Sequence, residues 1–140
     1  MVGMKKLSLY CSFLVVTVSV LNAQKNSMAS ELTGKWLFVF SSEKDLGKIP
    51  EGQQPDLKFE DSTRHISGSS GCNKISGTYD VSGDHLIFGP MISTFRACPD
   101  MEVEEYIIHF LTIVGTYKID DNKLYLYDKD NESNYVVYRK

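Results

Sequence analysis

The sequence is poor in cationic side chains and has no cluster of them. It contains 15 Lys and Arg residues against 18 Asp and Glu residues, for a formal net charge of −3. A protein that binds nucleic acid usually carries a basic patch, and a polybasic segment is needed to hold a protein on anionic lipid by charge. The composition therefore predicts no nucleic-acid partner and no stable membrane anchor in the mature chain.

The sequence also lacks an apolar run long enough to span a bilayer. Its most apolar stretch, Leu7–Val20, has about fourteen residues, follows Lys5 and Lys6, and precedes Ala23 as a small residue for cleavage. This pattern predicts a signal peptide over residues 1–23, a polar linker over 24–31, and export to the periplasm or the medium. An uncleaved N-terminal anchor is the alternative. Without residues 1–23 the chain keeps 13 basic and 18 acidic residues, a net charge of −5.

Cysteines are scarce, with three in 140 residues. Cys11 lies inside the apolar stretch after the bulky Tyr10, where a lipid-attachment site requires a small residue. Export leaves Cys72 and Cys98 in an oxidising compartment, where two cysteines permit a single bridge. That bridge would stabilise the fold by about 3.5 kcal/mol on the chain-entropy model. Two free buried thiols are the alternative.

Signatures of catalysis and of metal binding are absent from the sequence. The glycine-rich stretch around Gly68–Gly71 precedes a predicted strand, whereas a phosphate-binding loop precedes a helix. The three histidines are scattered and no close pair of zinc ligands is present. Glu102, Glu104 and Glu105 are interpreted as solvated residues of the first helical turns, which the helix dipole favours. The sequence thus predicts no catalytic, cofactor-binding or metal-binding residue.

Period-two alternation and turn residues predict eight short strands, and one segment changes to helical spacing. The helix is predicted from Pro99 to Ile113, between the fifth and sixth strands. The fold class is therefore α+β, with a strongly curved, barrel-like antiparallel sheet closed around the helix. The predicted strands are Leu32–Phe40, Leu57–Glu60, Arg64–Gly68, Lys74–Val81, His85–Phe88, Gly115–Ile119, Lys123–Tyr127 and Asn134–Tyr138. In the first strand, Trp36, Phe38 and Phe40 are predicted to face inward.

Two segments of the sequence read GCNKISGTYD, from Gly71 to Asp80, and LIFGPMISTFRACPD, from Leu86 to Asp100. These segments resemble the META domain family, also called HslJ-like. The resemblance covers residues 32–140, and Phe95-Arg96 departs from the commoner pattern before the second cysteine. It implies a small barrel-like domain without established catalytic residues. The matching motif residues are Gly71, Cys72, Asn73, Gly77, Tyr79, Thr94, Ala97 and Cys98.

These observations predict a non-enzymatic, exported cell-envelope protein that acts in stress or in protein interaction. Two other functions stay open. The aromatic residues could line a curved sheet that carries a small apolar ligand. The long loop from Ser41 to Pro55 could bind a target as a secreted inhibitor does. The partner is therefore predicted to be either a protein or a small apolar ligand, and no cofactor is expected.

Overall fold

The computed structural model describes residues 30–140. The predicted signal peptide and residues 24–29 of the predicted linker lie outside the described residues, so both stay predictions. At the start of the described part, Leu32 is completely buried, and its carbonyl accepts a hydrogen bond of 2.7 Å from Nε1 of Trp36. Leu32 is thus part of the packed interior.

The eight strands form one closed antiparallel barrel in which sequence neighbours are spatial neighbours and β8 closes against β1. This confirms the predicted fold class. The arrangement is up-and-down because each strand pairs antiparallel with the next strand in the sequence, and closure removes the free edges that an open sheet would have. The strands are β1 (Gly34–Ser41), β2 (Asp56–Glu60), β3 (His65–Ser69), β4 (Lys74–Ser82), β5 (His85–Ser93), β6 (Val114–Asp120), β7 (Lys123–Asp128) and β8 (Tyr135–Arg139).

Helix α1 (Glu102–Ile113) connects β5 to β6, as predicted, but it begins three residues after Pro99. The delay has a local cause. Cys98 is bonded to Cys72, and its N–H donates to the sulfur of Met101, while Asp100 accepts a hydrogen bond from the N–H of Glu102. The first helical bond is donated by Glu105 N to the Met101 carbonyl.

Side chains fill the interior of the barrel. Inward residues of every strand join the apolar face of α1 in one cluster, and an eight-stranded barrel is just wide enough to be filled in this way. The largest completely or nearly completely buried side chains are Trp36, Tyr79, Tyr138, Phe59 and Phe110. A small apolar ligand would therefore have to bind outside this core.

Strand β5 is longer than predicted, since it runs through Gly89 and Pro90 to Ser93. Its pairing with β4 is irregular between Gly77 and Tyr79, and it meets β6 only at His85. Proline is tolerated in a strand at a bulge or an unpaired edge because its missing N–H is not needed there. Gly89 and Pro90 therefore lie at an irregular edge of the sheet and do not end the strand.

The predicted inward face of β1 is correct for Trp36 and Phe38 and wrong for Phe40, which is 45% exposed. The register against β8 shifts between Phe38 and Phe40. A one-residue shift reverses the face to which later side chains point. Phe40 instead packs edge-on against Tyr135, with the ring centroids 6.2 Å apart.

Candidate functional site

The two cysteines are joined, which confirms the predicted bridge. The disulfide connects Cys72, in the turn between β3 and β4, to Cys98, just before α1, and their Cα atoms are 5.9 Å apart. The sulfur of Cys72 also lies 3.6 Å from the carbonyl oxygen of Arg96. The disulfide links the β3–β4 turn to the segment Thr94–Cys98, which we call the tip loop.

Asn73, the residue after the first cysteine, uses its whole side-chain amide to hold the tip loop. Its Oδ1 accepts hydrogen bonds from the hydroxyl of Thr94 at 2.9 Å and from the N–H of Arg96 at 2.7 Å. Its Nδ2 donates to the Arg96 carbonyl at 3.1 Å and to Oε1 of Glu104 at 2.6 Å. Asn73 is 3% exposed, so these partners replace the water that a buried amide would lose.

Glu104 is the residue that the sequence interpretation misplaced. It is 5% exposed and is not solvated, because its carboxylate accepts hydrogen bonds from Nδ2 of Asn73 at 2.6 Å and from the backbone N–H of Asn73 at 2.7 Å. One signal could have revealed this. Glu104 precedes Ile107 and Leu111 by three and seven residues, which places it on the buried face of the helix. A carboxylate on that face needs buried donors.

Two motif glycines lie beside this network for different reasons. Gly71 has φ +132°, a conformation that L side chains rarely adopt, although a Cβ there would be in ordinary contact, 3.5 Å from the N of Glu104. A Cβ at Gly77 would lie 2.9 Å from the Pro90 carbonyl, where β4 and β5 are irregularly paired. Tyr79, the next motif residue on β4, is buried in the core and packs edge-on against Phe59.

The tip loop is fixed on both sides of a fully exposed phenylalanine. Thr94 exchanges two hydrogen bonds with the backbone of Lys74, through its N–H and its hydroxyl, each 3.0 Å long. Arg96 is held by Asn73 as described, whereas Phe95 between them is 106% exposed. Ala97 is exposed too, and Ile92, at the end of β5, is 76% exposed. The motif thus builds a rigid support for an apolar side chain in solvent.

The structure does not bring the histidines together with the motif. His65 lies opposite Thr78 in the β3–β4 pair and its Nε2 is 3.3 Å from the hydroxyl of Ser76. His85 contacts Asp84 at the far end of the β4–β5 hairpin, and His109 is exposed on α1. No group of three or more potential metal ligands occurs among residues 30–140. The sulfur of Cys72 is bonded to Cys98, so it supplies no thiolate in this state.

An apolar cavity of about 310 Å³ lies between β5 and α1. It is lined mainly by Phe88, Pro90, Met91, Ile108 and Leu111. This cavity is a place in the described structure where a small apolar ligand could bind. By contrast, the loop from Ser41 to Pro55 packs against the domain, since Leu46 and Ile49 join the core.

Several tyrosine hydroxyls are buried at the barrel wall. Burial raises the pKa of the Tyr79 and Tyr117 phenols above the ordinary value, and it does the same for the pKa of Tyr106. The hydroxyls of Tyr79 and Tyr117 find no hydrogen-bond partner within the described residues. These groups titrate only in strongly alkaline solution and suggest no acid–base chemistry near neutral pH.

Comparison with models of known protein families identifies the family of this chain. The family model described as META domain matches residues 30–139. The chain belongs to the META domain family. The residues that hold the tip loop, Cys72, Asn73, Thr94 and Cys98, are those on which the sequence resemblance rested.

Solved structures show the same fold at low sequence identity. The NMR structure of a protein from Burkholderia xenovorans is 21% identical, with a TM-score of 0.66 over 81% of this chain and 86% of that one. A crystal structure of a DUF4847 family protein from Bacteroides vulgatus ATCC 8482 is 17% identical, with a TM-score of 0.56 over 77% of this chain and 92% of that one. No match was found among curated proteins.

Within residues 30–140, no helix is both long enough and apolar enough to cross a membrane.

Proposed function

We propose that this META domain protein is an exported, non-enzymatic module of the cell envelope that binds a partner through its tip loop. The observation that carries the proposal is the rigid presentation of Phe95. Exposed aromatic side chains are enriched at the centres of binding surfaces, and prior rigidity lowers the entropy cost of binding. Phe95 combines complete exposure with hydrogen bonds at both neighbouring residues.

The network beneath the tip loop supports a structural role for the motif. Asn73 and Glu104 are buried and their polar side-chain atoms are bonded to each other or to the loop, so neither is free to transfer a proton to a substrate. The cysteines are consumed in a bridge. The cysteines, Asn73 and Glu104 of the motif therefore hold the loop, which supports a structural role for them.

Site-specific photocrosslinking in intact cells tests the proposal. A photoreactive phenylalanine analogue at position 95 is expected to give an adduct of defined mass in the envelope fraction. The matched control carries the analogue at Ile87, which is 59% exposed on the other half of β5. Adducts that are equally abundant from both positions, or none from either, would contradict a binding role for the tip loop.

The non-enzymatic part has its own test. The purified, oxidised protein is expected not to hydrolyse ester, peptide, glycoside or phosphate substrates. Turnover that disappears in a His65→Ala or His85→Ala variant of unchanged stability would show that the protein is an enzyme.

A second candidate is the carrying of a small apolar ligand, favoured by the cavity between β5 and α1. Native mass spectrometry of the exported protein would then show a bound ligand. An Ile108→Glu substitution, which places a carboxylate at the cavity lined by this residue, is expected to release it.

A further inference from the structure

Acidic residues are segregated away from one side of the barrel. All 18 carboxylates of the sequence lie outside residues 62–79 and 85–99. Those two ranges contain β3, most of β4, all of β5 and the whole tip loop. Consecutive strands are paired in this barrel, so the two ranges form a continuous face. An acidic protein thus has a surface region without acidic side chains, which runs from the tip loop along the sheet and ends at the exposed Asp80 of β4.

At the end of this face, two cations flank the exposed apolar residues. Lys74 and Arg96 are both exposed, and neither forms an ion pair within 4.0 Å to any of residues 30–140. Lys74 lies beside Thr94 through two hydrogen bonds, and Arg96 directly follows Phe95. We call Lys74, Ile92, Phe95 and Arg96 the cationic tip. Its charge is opposite in sign to that of the whole protein.

We propose that the cationic tip docks reversibly on an anionic phospholipid surface, with Phe95 and Ile92 entering the headgroup region. This inference rests on the proposed function, because it names what the tip loop binds. Charge complementarity identifies the occupant: two unpaired cations on a carboxylate-free face match anionic headgroups, while the remaining acidic surface faces away.

The surroundings of Phe95 favour lipid over a protein groove. Its chain neighbours at the surface are the hydroxyl residues Ser93 and Thr94 and the guanidinium of Arg96, all exposed. An aromatic and an aliphatic side chain surrounded by cations and hydroxyls have the composition of interfacial membrane-contacting segments. With two apolar side chains and two cations the contact is weak. It agrees with the absence of a stable membrane anchor predicted from the sequence.

Co-sedimentation with vesicles tests this inference on the oxidised, full-length exported protein. The probes are vesicles of phosphatidylcholine and phosphatidylglycerol at a 7:3 ratio, and vesicles of phosphatidylcholine alone. We expect binding to the anionic vesicles that weakens with salt. Reversing both cations, Lys74→Glu with Arg96→Glu, should lower the partition coefficient at least about 25-fold, because each cation near an anionic surface contributes about fivefold. Phe95→Ala should lower it by about tenfold or more.

Matched controls separate the cationic tip from general charge effects. Lys123→Glu with Lys129→Glu makes the same change in net charge at two exposed residues at the ends of β7, and Ile87→Ala removes an exposed apolar side chain elsewhere on β5. Both controls should keep most of the binding. A Phe95→Trp variant should show a blue-shifted emission on the anionic vesicles, whereas the native Trp36 is completely buried and should not respond.

The outcomes distinguish this inference from the proposed function. No binding to anionic vesicles, or an equal loss in the control variants, would overturn the lipid assignment. If crosslinking at position 95 then captured a protein through the same cations, the tip loop would still be a binding site, and its partner would be an acidic protein. Failure of both experiments would overturn the lipid assignment and the proposed function together.

Discussion

Substitutions that exchange the amide of Asn73 and the carboxylate of Glu104 test whether their hydrogen bonds hold the tip loop. Asn73→Asp keeps the shape of the side chain but replaces Nδ2, which donates to Glu104 Oε1 at 2.6 Å and to the Arg96 carbonyl at 3.1 Å. Two buried hydrogen bonds become contacts between acceptors, one of them between two carboxylates. Each lost buried bond costs about 1–3 kcal/mol, so we expect a destabilisation of about 3–5 kcal/mol.

The reverse substitution and the double variant complete a cycle. Glu104→Gln is expected to cost about 1–3 kcal/mol, because the amide nitrogen of the new side chain faces one of the two donors of Asn73. In the double variant, Gln at position 104 can donate to Asp at position 73. The combined loss should therefore fall short of the sum of the two single losses by at least about 1.5 kcal/mol.

Urea unfolding of the oxidised proteins measures these free energies. A Lys58→Met variant provides a surface control. Lys58 is exposed, and among residues 30–140 its ion pair is with Glu60, also at the surface. This substitution should change the free energy of unfolding by less than about 1 kcal/mol. If Asn73→Asp were as stable as the natural protein, or if the two single losses were simply additive, the hydrogen bonds described here would not hold the loop.

Three further predictions concern the fold. Replacing Cys72 and Cys98 together by serine should lower the free energy of unfolding by about 3.5 kcal/mol, as measured in urea. Gly68→Ala should reduce soluble expression and lower the melting temperature strongly, because its Cβ would overlap the Asp56 carbonyl across the β2–β3 pair. Stability should fall as the pH rises above about 10, because the buried Tyr117 keeps its proton in the folded state while tyrosines of the unfolded chain lose theirs.

Each of these has a clear contrary result. Reduction without a change in urea midpoint would show that the bridge does not constrain the unfolded chain. A Ser67→Ala variant controls for Gly68→Ala on the same strand, and equal melting temperatures for the two would contradict the steric argument. A Tyr117→Phe variant whose stability fell with pH as steeply as that of the natural protein would show that Tyr117 does not contribute to the effect.

Sequence periodicity was sufficient to predict the barrel because strands and helix are separated by clear turn residues. The order of eight strands and one helix is correct, and most strand boundaries differ by only one or two residues. The errors arise where pairing is irregular. A register shift after Phe38 turned Phe40 outward, and the irregular β4–β5 pairing carried β5 through Pro90. Such shifts depend on contacts between strands and leave no signal in one strand's own sequence.

The candidate site was predicted only in part. Cysteine counting identified the bridge, since two cysteines allow one pairing. The partner of Asn73 was missed because Glu104 stands among other acidic residues where the helix dipole already explains negative charge. The cationic tip could not be predicted either. Lys74 and Arg96 are 22 positions apart in the sequence and become neighbours only when β4 and β5 pair.

Amide hydrogen exchange in the tip loop tests the central claim most directly, namely that the motif residues hold the loop rigid beneath an exposed phenylalanine. The amides of Thr94 and Arg96 donate to Lys74 O and Asn73 Oδ1. In the oxidised protein both should exchange at least about 100-fold more slowly than in an unstructured peptide. The protection of the Arg96 amide should be lost in Asn73→Ala, which removes its acceptor, and kept in Phe95→Ala. Exchange at the unprotected rate in the natural protein would contradict the account.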